Sequence, residues 1–301
     1  MEPDLDARNV RRGFLQRLFR RHGSPEAAPR REAVVVAFAS GKGGTGKSFL
    51  ATSLSVALHD MRRRVVVVDC DFGLANAHLL FGVTPRFTMR HLLDGSAAIQ
   101  QAVTPTPYGP ALVAGGSGIS SLTELGVHHL QVVARSLRWL CGAFDVVLLD
   151  CAAGLSPQSL LMSLAATHVV VVTNPEIAAL TDAYALIKCL GRQPACPALH
   201  LAVNRVADPA LGQATFDRLA EVSRRFAGRS IHYAGAIPED AAVTQRRLGQ
   251  PPLIVSHPEC RTSLAVLEMT RAMLSRTRGL LPQAVVDGGI DARMTAQLSR
   301  W

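Results

Sequence analysis

The chain has 301 residues, of which 48% are hydrophobic and 18% charged, and its formal net charge is +9. A chain of this size can bury a large core, and nothing in its composition indicates a second folded domain. Its six cysteines lack CxxC spacing, which argues against a zinc ribbon or a disulfide framework. No apolar run is as long as a membrane span. We therefore expect one cytoplasmic domain with an extensive apolar core.

The first 31 residues contain eight arginines and a short amphipathic pattern. In a helix over residues 11–21, four apolar side chains would gather on one side between flanking arginines, namely Phe14, Leu15, Leu18 and Phe19. This pattern is typical of a helix that lies in a membrane interface. Residues 22–31 contain two prolines and would form a flexible tether. A disordered basic tail and a helix that docks on a protein partner are the alternatives.

The most informative segment lies between a predicted strand and a predicted helix. Residues 33–39 are continuously apolar, as in a buried parallel strand, and an apolar helical pattern starts at Ser48. The loop between them reads Gly41-Lys42-Gly43-Gly44-Thr45-Gly46-Lys47-Ser48. In such a loop, backbone N–H groups and the helix N-terminus bind phosphate, Lys47 reaches the β- and γ-phosphates, and the Ser48 hydroxyl binds Mg²⁺. The sequence therefore predicts a nucleotide site.

Lysine is rare in this chain, which makes its positions informative. Only three of the 32 basic residues are lysines, and two of these are Lys42 and Lys47 in the loop. A compact ammonium group is evidently required where the planar fork of arginine would not fit. An ordinary phosphate loop does not need a lysine after its first glycine, and this run resembles the deviant Walker A motif of the MinD/ParA family.

The resemblance extends over roughly residues 33–275 and implies ATP and ADP as ligands. It also implies an ATP-driven homodimer packed face to face, in which Lys42 of each subunit reaches the nucleotide of the other. Lys42 and Lys47 would thus both serve catalysis. The loop departs from the family at Thr45 and Ser48, where Val and Thr are commoner, and both replacements are chemically acceptable. Phe49 would lie at the nucleotide without the polar side chain that family members commonly carry there.

Two further apolar strands, at residues 65–68 and 146–149, each lead into an aspartate. The first continues as D-C-D-F-G-L-A-N, similar to the D-x-D-x-G-L-x-N segment of the family. The resemblance implies that Asp71 polarises the attacking water and that Asp69 supports the Mg²⁺ shell. The second strand delivers Asp150, which resembles the Walker B carboxylate that holds a Mg²⁺-bound water. Gly154 closes a turn similar to switch II.

Later segments follow the same template. Residues 173–176 are similar to the T-x-P-E strand end of the family, and T-D-A-Y-A-L-I-K at residues 181–188 resembles the flagellar-number regulators FlhG and FleN. By the same resemblance, Asn204 would face the adenine and Pro238, within residues 236–240, would wall the base. Alternating strands and helices predict an α/β fold, a doubly wound and mainly parallel sheet flanked by helices.

These patterns divide the chain into a basic N-terminal helix and tether at residues 1–31, an ATPase domain at 32–280 and a loosely held polar tail at 281–301. The flagellar branch implies a slow switch ATPase that controls flagellar number or placement and is bound to the inner face of the cell membrane with ATP. Its partners would be an FlhF-like GTPase, a transcriptional or basal-body protein and anionic lipid. Residues 6–12 do not match the D-Q-A-x-x-L-R motif that stimulates FlhF.

The sequence leaves two other functions open. The first is a DNA-partition ATPase of the ParA type, in which exposed arginines would contact the phosphate backbone; candidates are Arg224, Arg225, Arg246 and Arg247. The second is a nucleotide-gated scaffold with negligible hydrolysis. A solvated basic face is the favoured account of the scattered arginines, so nucleic acid is the less favoured partner.

Overall fold

The computed structural model describes residues 31–73, 75–116, 127–247, 249–284 and 289–298. The amphipathic pattern of Phe14, Leu15, Leu18 and Phe19 lies outside the described residues. The same is true of the stretch at residues 6–12.

The described residues form ten strands. In chain order they are β1 (Arg31–Glu32), β2 (Val34–Ala39), β3 (Val65–Cys70), β4 (Thr104–Pro105), β5 (Ala111–Val113), β6 (Val146–Cys151), β7 (His168–Thr173), β8 (Ala198–Val206), β9 (His232–Pro238) and β10 (Gln283–Ala284). Eight of them make one sheet in the order β4-β5-β3-β6-β2-β7-β8-β9. All neighbours in it are parallel except the edge pair β4 and β5.

The described residues also form twelve α-helices. They are α1 (Lys47–Asp60), α2 (Ala77–Leu80), α3 (Met89–Leu93), α4 (Ile99–Ala102), α5 (Val127–Ala143), α6 (Pro157–Ala165), α7 (Ile177–Gly191), α8 (Pro209–Val222), α9 (Ala241–Thr244), α10 (Leu253–Ser256), α11 (Arg261–Arg276) and α12 (Gly289–Leu298). None of the helices in the described ranges combines the length and apolarity needed to cross a bilayer.

The sheet is buried on both faces, which is why its central strands are continuously apolar. Every residue of β2, β3 and β6 is buried. One face packs against α1, α10 and α11, and the other packs mainly against α5, α6, α7 and α12. The predicted doubly wound, mainly parallel sheet is thereby confirmed.

The order of the strands brings the predicted site residues to one edge. β2 lies between β6 and β7, so the chain winds away from β2 in both directions, and ligands bind at such a switch point. In the register of the sheet, Asp69 is the direct neighbour of Asp150, which also pairs with Phe38 near the end of β2. The carboxyl ends of β2, β3 and β6 therefore meet where the loop to α1 begins.

The C-terminal segment differs from the expected loose tail. Helix α12 packs against α5 and α6, and its Ile290 and Met294 are each 1% exposed in the main core. The Glu32 carboxylate accepts hydrogen bonds from the backbone N–H of Ile290 at 2.9 and 3.1 Å, and strand β1 pairs with β10. Ile290 and Met294 lie one helical turn apart, so together they bury one stripe of this helix.

Candidate nucleotide site

The phosphate loop, residues 41–48, turns sharply between β2 and α1. Gly46 caps α1 in the left-handed region with φ of 100°, and Gly44 has φ of 74°. A Cβ at Gly46 would collide with Asn204, and one at Gly41 would collide with the backbone of Asp182. The loop thus needs glycine both for its conformation and for the close approach of neighbouring elements.

Lys47 points into the cradle that this loop makes. Its side chain is buried, and Nζ donates to the Ser40 hydroxyl at 3.0 Å. The Ser40 hydroxyl in turn donates to the carbonyl of Lys42 at 2.6 Å. Because this ammonium group already lies inside a glycine-rich loop at a helix N-terminus, it can bind a phosphate oxygen placed there.

Lys42 points the other way. Its Nζ lies 2.9 Å from Oε2 of Glu176, and the two side chains are 44% and 58% exposed. The Lys42 ammonium lowers the pKa of the Glu176 carboxyl. The two lysines of one loop therefore occupy different environments, one in the cradle and the other on the outer surface.

Two buried carboxylates lie side by side beneath the loop. Asp69 and Asp150 are 0% and 2% exposed. Burial raises the pKa of Asp69 to about 6; burial, and then the neighbouring Asp69 charge, raise the pKa of Asp150 to about 7. Asp69 is held by the backbone N–H groups of Asp71 and Ala77, at 3.1 and 3.0 Å. A nearby cation would lower both pKa values.

The residues around Asp150 fit a Mg²⁺ ion shared with phosphates. Asp150 Oδ1 is buried and has no hydrogen-bond partner among the described residues, while the Ser48 hydroxyl bonds to the same carboxylate. One or two carboxylates and a hydroxyl, completed by phosphate oxygens and water, are the ligands Mg²⁺ usually takes at nucleotide sites. Within the described ranges, no group of three or more His, Cys, Asp or Glu side chains is arranged to hold a metal by itself.

Asp71 and Gly154 flank this carboxylate pair. Asp71 follows Asp69 by two residues and is half-buried, just beyond the end of β3. Gly154, with φ of 96°, donates its backbone N–H to the carbonyl of Ser40 at 2.9 Å. The turn after β6 is therefore tied directly to the base of the phosphate loop, so movement of one can be transmitted to the other.

A cavity of about 230 Å³, called here the base cavity, opens beside the phosphate loop. Asn204 joins the two, because its Nδ2 donates to the carbonyl of Thr45 at 2.7 Å. The base cavity is smaller than most small-ligand sites, which measure roughly 300–1,000 Å³, but like them it combines apolar side chains with a few polar groups. It is lined by Gly46, Phe49, Asn204, Arg205, Ile237, Pro238, Glu239, Asp240, Val243, Thr244 and Thr262.

The structure therefore brings the phosphate loop, Asp69, Asp71, Asp150, Gly154, Asn204 and Pro238 to one edge of the sheet. Sequence reasoning did not identify Ser40 as the partner of Lys47 or Glu176 as the partner of Lys42. It also missed Arg205, which adopts φ of 55° beside the base cavity. A left-handed conformation is uncommon outside glycine and often marks a functional region, but it cannot be read from residue type.

The arginines considered as DNA contacts do not form one free surface. Arg246 donates to the carbonyls of Leu80 and Gln250 at 2.8 and 2.9 Å, so its guanidinium joins the end of α2 to the loop that contains Gln250. Arg224 and Arg225 lie in a π-helical turn after α8, and Arg225 stacks on Phe226.

Comparison with known proteins adds a family assignment to this geometry. The profile of the CobQ/CobB/MinD/ParA nucleotide-binding domain matches residues 36–250. The chain is 32% identical over 231 residues to the antiactivator FleN of Pseudomonas aeruginosa, covering 77% of this chain and 82% of the relative. It is 34% identical over 213 residues to the flagellum site-determining protein YlxH of Helicobacter pylori, covering 70% and 71% of the two chains.

Solved structures give the same fold. The cell division ATPase MinD of Pyrococcus furiosus aligns with a TM-score of 0.68 at 27% identity, covering 81% of this chain and all of the other. The septum site-determining protein MinD of Pyrococcus horikoshii, complexed with Mg-ADP, aligns with a TM-score of 0.66 at 27% identity. That alignment covers 80% of this chain and 95% of the other.

Proposed function

The chain belongs to the CobQ/CobB/MinD/ParA nucleotide-binding family, as its phosphate loop predicted, and from that premise we propose that it is an ATPase switch that dimerises with ATP. The observation that carries the proposal is the opposite placement of two lysines in one loop. Lys47 is buried in the cradle, whereas Lys42 is exposed and paired with Glu176. Lys42 is then free to act on a second subunit once this pair opens.

Each remaining site residue takes a role that its environment supports. Lys47 and the backbone N–H groups of the loop bind the β- and γ-phosphates, while Ser48 and Asp150 hold the metal with Asp69 beside them. Bound Mg²⁺ would neutralise charge that develops on the transferred phosphate. Asp71 orients the attacking water, and the turn at Gly154 senses the γ-phosphate through its bond to Ser40. The adenine occupies the base cavity.

The relatives support a flagellar role for this switch. FleN is named an antiactivator and YlxH a flagellum site-determining protein, which supports a switch that sets flagellar number or placement. The dimer would act with an FlhF-like GTPase and a transcriptional or basal-body partner. Its two N-terminal segments would bind the membrane together, because two weak anchors brought into one dimer bind far better than one. Hydrolysis would release them.

Sedimentation velocity of the full chain in ATP and in ADP tests the switch. We expect a dimer in ATP only, loss of that dimer in Lys42→Ala with nucleotide binding retained, and a normal dimer in Lys188→Ala, which alters the third lysine. Asp71→Ala should keep the ATP dimer and lose turnover. A normal ATP dimer in Lys42→Ala would refute the role of Lys42 across the interface, and unchanged turnover in Asp71→Ala would remove Asp71 from hydrolysis.

The two other functions make different predictions in the same material. A DNA-partition ATPase would bind duplex DNA in ATP with a steep salt dependence and would ignore lipid vesicles. A nucleotide-gated scaffold would dimerise normally and show the same slow turnover in the wild type and in Asp71→Ala.

A further inference from the structure

A second cavity, of about 260 Å³, lies at the opposite end of helix α1 from the phosphate loop. Helix α1 has 14 residues, so the two sites are about 20 Å apart along its axis. We call it the arginine cavity, because three of its lining residues are consecutive arginines. It is lined by His59, Arg62, Arg63, Arg64, Val65, Gly109 and Phe144.

The charge of the arginine cavity is only partly neutralised. Arg64 forms an ion pair with Asp145, with 2.6 Å between Nη2 and Oδ1. Arg63 donates from Nε to the carbonyl of Gly279 at 3.1 Å, which leaves its two terminal nitrogens for another acceptor. No carboxylate of the described part of the chain forms an ion pair with Arg62 or Arg63. Arg62 thus has no ion-pair partner in the described ranges, and Arg63 keeps two terminal nitrogens for an anion although its charge also lowers the pKa of Asp145.

Arg62 occupies a position where glycine is the ordinary residue. Helix α1 ends in a Schellman motif, with Arg62 N–H donating to the carbonyl of His59 at 2.8 Å and Arg63 N–H to that of Leu58 at 3.0 Å. Arg62 is the left-handed residue of this motif, with φ of 64°. A side chain strains the backbone there, and such strain is concentrated at functional positions.

The dipole of α1 does not account for this arrangement by itself. Basic residues are favoured near a helix C-terminus, which explains His59 on the last turn. It does not explain why Arg62 occupies a left-handed position, because a basic residue one turn earlier in α1 would interact with the dipole equally well. Gly109, whose φ of 99° in itself favours glycine, also leaves room for the His59 ring, which a Cβ there would meet.

The arginine cavity also lies near the place where the N-terminal segment joins the domain. Gly279, which contacts Arg63, precedes Gln283 by four residues, and Gln283 pairs with Glu32 at the start of the described chain. Four residues span at most about 14 Å. The start of β1, where the described chain begins, is therefore close to this cavity.

We propose that the arginine cavity binds the phosphate of an anionic lipid headgroup when the amino-terminal edge of the sheet faces a membrane. This proposal rests on the membrane association included in the proposed function. The guanidinium groups of Arg62 and Arg63 match a phosphate in charge and shape, while the buried Val65 and Phe144 give the cavity an apolar floor. A discrete headgroup fits such a recess, whereas a DNA duplex presents a convex backbone.

Arg62→Gly separates this function from folding. It removes the guanidinium and relieves the left-handed strain, so its melting temperature should equal or exceed that of the wild type. We would measure co-sedimentation of the full chain with vesicles of equal parts phosphatidylcholine and phosphatidylglycerol, in Mg-ATP and Mg-ADP. Arg218→Gln, a change at an exposed arginine on α8, is the matched control. Vesicles of pure phosphatidylcholine and duplex DNA are the parallel probes.

We expect Arg62→Gly to bind anionic vesicles at least about fivefold more weakly, the factor for one basic residue near an anionic surface. The ATP dimer, turnover and Arg218→Gln should be unaffected. Equal vesicle binding by Arg62→Gly and the wild type would overturn the cavity proposal alone. Absence of vesicle binding by the wild type in either nucleotide would overturn the membrane role as well. Loss of DNA binding in Arg62→Gly with unchanged lipid binding would reassign the cavity to nucleic acid. If inorganic phosphate displaced the protein from anionic vesicles as effectively as free anionic lipid does, the cavity would be a site for free phosphate.

Discussion

The ammonium group of Lys42 lies 2.9 Å from the carboxylate of Glu176 on the protein surface, although the two residues are 134 positions apart in the sequence. This pair must open before Lys42 can reach a second subunit. Glu176→Gln should therefore tighten the ATP dimer, by a few-fold at most because exposed ion pairs contribute little. The measurement is the dimer dissociation constant in ATP by analytical ultracentrifugation.

Glu259→Gln is the control for this change, because Glu259 is an exposed carboxylate outside the phosphate loop and its neighbours. It should leave the dissociation constant unchanged. The difference between wild type and Glu176→Gln should also shrink in high salt, which screens the pair in the wild type. A weaker dimer in Glu176→Gln would instead mean that Glu176 contributes to the interface.

The raised pKa of Asp150 predicts that the protein without nucleotide loses stability as pH rises. The folded-state pKa of about 7 exceeds the ordinary value of 3.8, so this group favours the folded state below pH 4, and that contribution is lost as pH rises through 7. Asp150→Asn removes the unfavourable burial of a charged carboxylate at high pH. The free energy of unfolding of the variant should exceed that of the wild type by on the order of 3 kcal/mol at pH 8 and match it near pH 4.

Denaturant unfolding without Mg²⁺ or nucleotide, at several pH values, measures this difference. Burial also lowers the pKa values of His168 and His200, but that contribution is common to both proteins and cancels.

Asp145→Asn is the control, and its effect should have the opposite sign. Burial raises the pKa of Asp145, yet the hydrogen bonds and charge of Arg64 outweigh it and lower the pKa, so this variant should lose more stability at high pH. With Mg-ATP bound, the wild type should become more stable than Asp150→Asn, because only the wild type keeps the carboxylate that holds the metal. A pH-independent difference would refute the buried charge.

Filling the base cavity tests where the nucleobase lies. Val243 lines the base cavity from the short helix α9 and is half-buried. Val243→Trp should lower the affinity for ATP at least about tenfold, because the indole occupies the space of the base, yet change the affinity for inorganic tripolyphosphate less than about twofold. Calorimetric titration with both ligands measures this.

Val255→Trp is the matched control, since Val255 is 43% exposed on α10 and does not line the cavity. It should change neither affinity. An equal loss of both ligands in Val243→Trp would indicate damage to the phosphate loop, and unchanged ATP binding would place the base elsewhere.

The part of this site that sequence could predict depends on local order. Asp69 and Asp150 could be identified because each ends a continuously apolar stretch, and parallel strands end at one edge of the sheet. The loop could be identified because strand, glycines and helix are contiguous. By contrast, the Lys42–Glu176 pair depends on two loops meeting, and Val243 and Thr262 reach the base cavity from two different helices. These contacts join residues that are far apart in the sequence, so no local sequence pattern predicts them.

The same reason explains the C-terminal segment. Residues after 280 are polar and contain glycine, so composition favours a loose tail. Two large apolar side chains of α12, Ile290 and Met294, are buried in the core, and two such positions in a ten-residue helix are too few to predict packing from sequence. The polar attachments of α12 come from distant parts of the chain. The Glu32 carboxylate accepts from the Ile290 N–H at the helix N-terminus, Arg293 donates to the carbonyl of Ala165, and Arg138 pairs with Asp291.

Helix α12 should therefore contribute measurably to stability. Ile290 is 1% exposed, and truncating a fully buried isoleucine removes apolar contacts and leaves a cavity, at a cost of about 2–5 kcal/mol. Ile290→Ala should lower the free energy of unfolding by an amount in that range, measured in urea without nucleotide.

Thr295→Ala provides the control on the same helix, because Thr295 is exposed and its truncation should change the free energy of unfolding by less than about 0.5 kcal/mol. Glu32→Gln should fall between the two, since it keeps an acceptor for the Ile290 N–H but loses the charge that favours a helix N-terminus. If residues 281–301 were a loosely held tail, all three variants would unfold together with the wild type. A graded loss in the order Ile290, Glu32, Thr295 is the pattern expected when α12 belongs to the core.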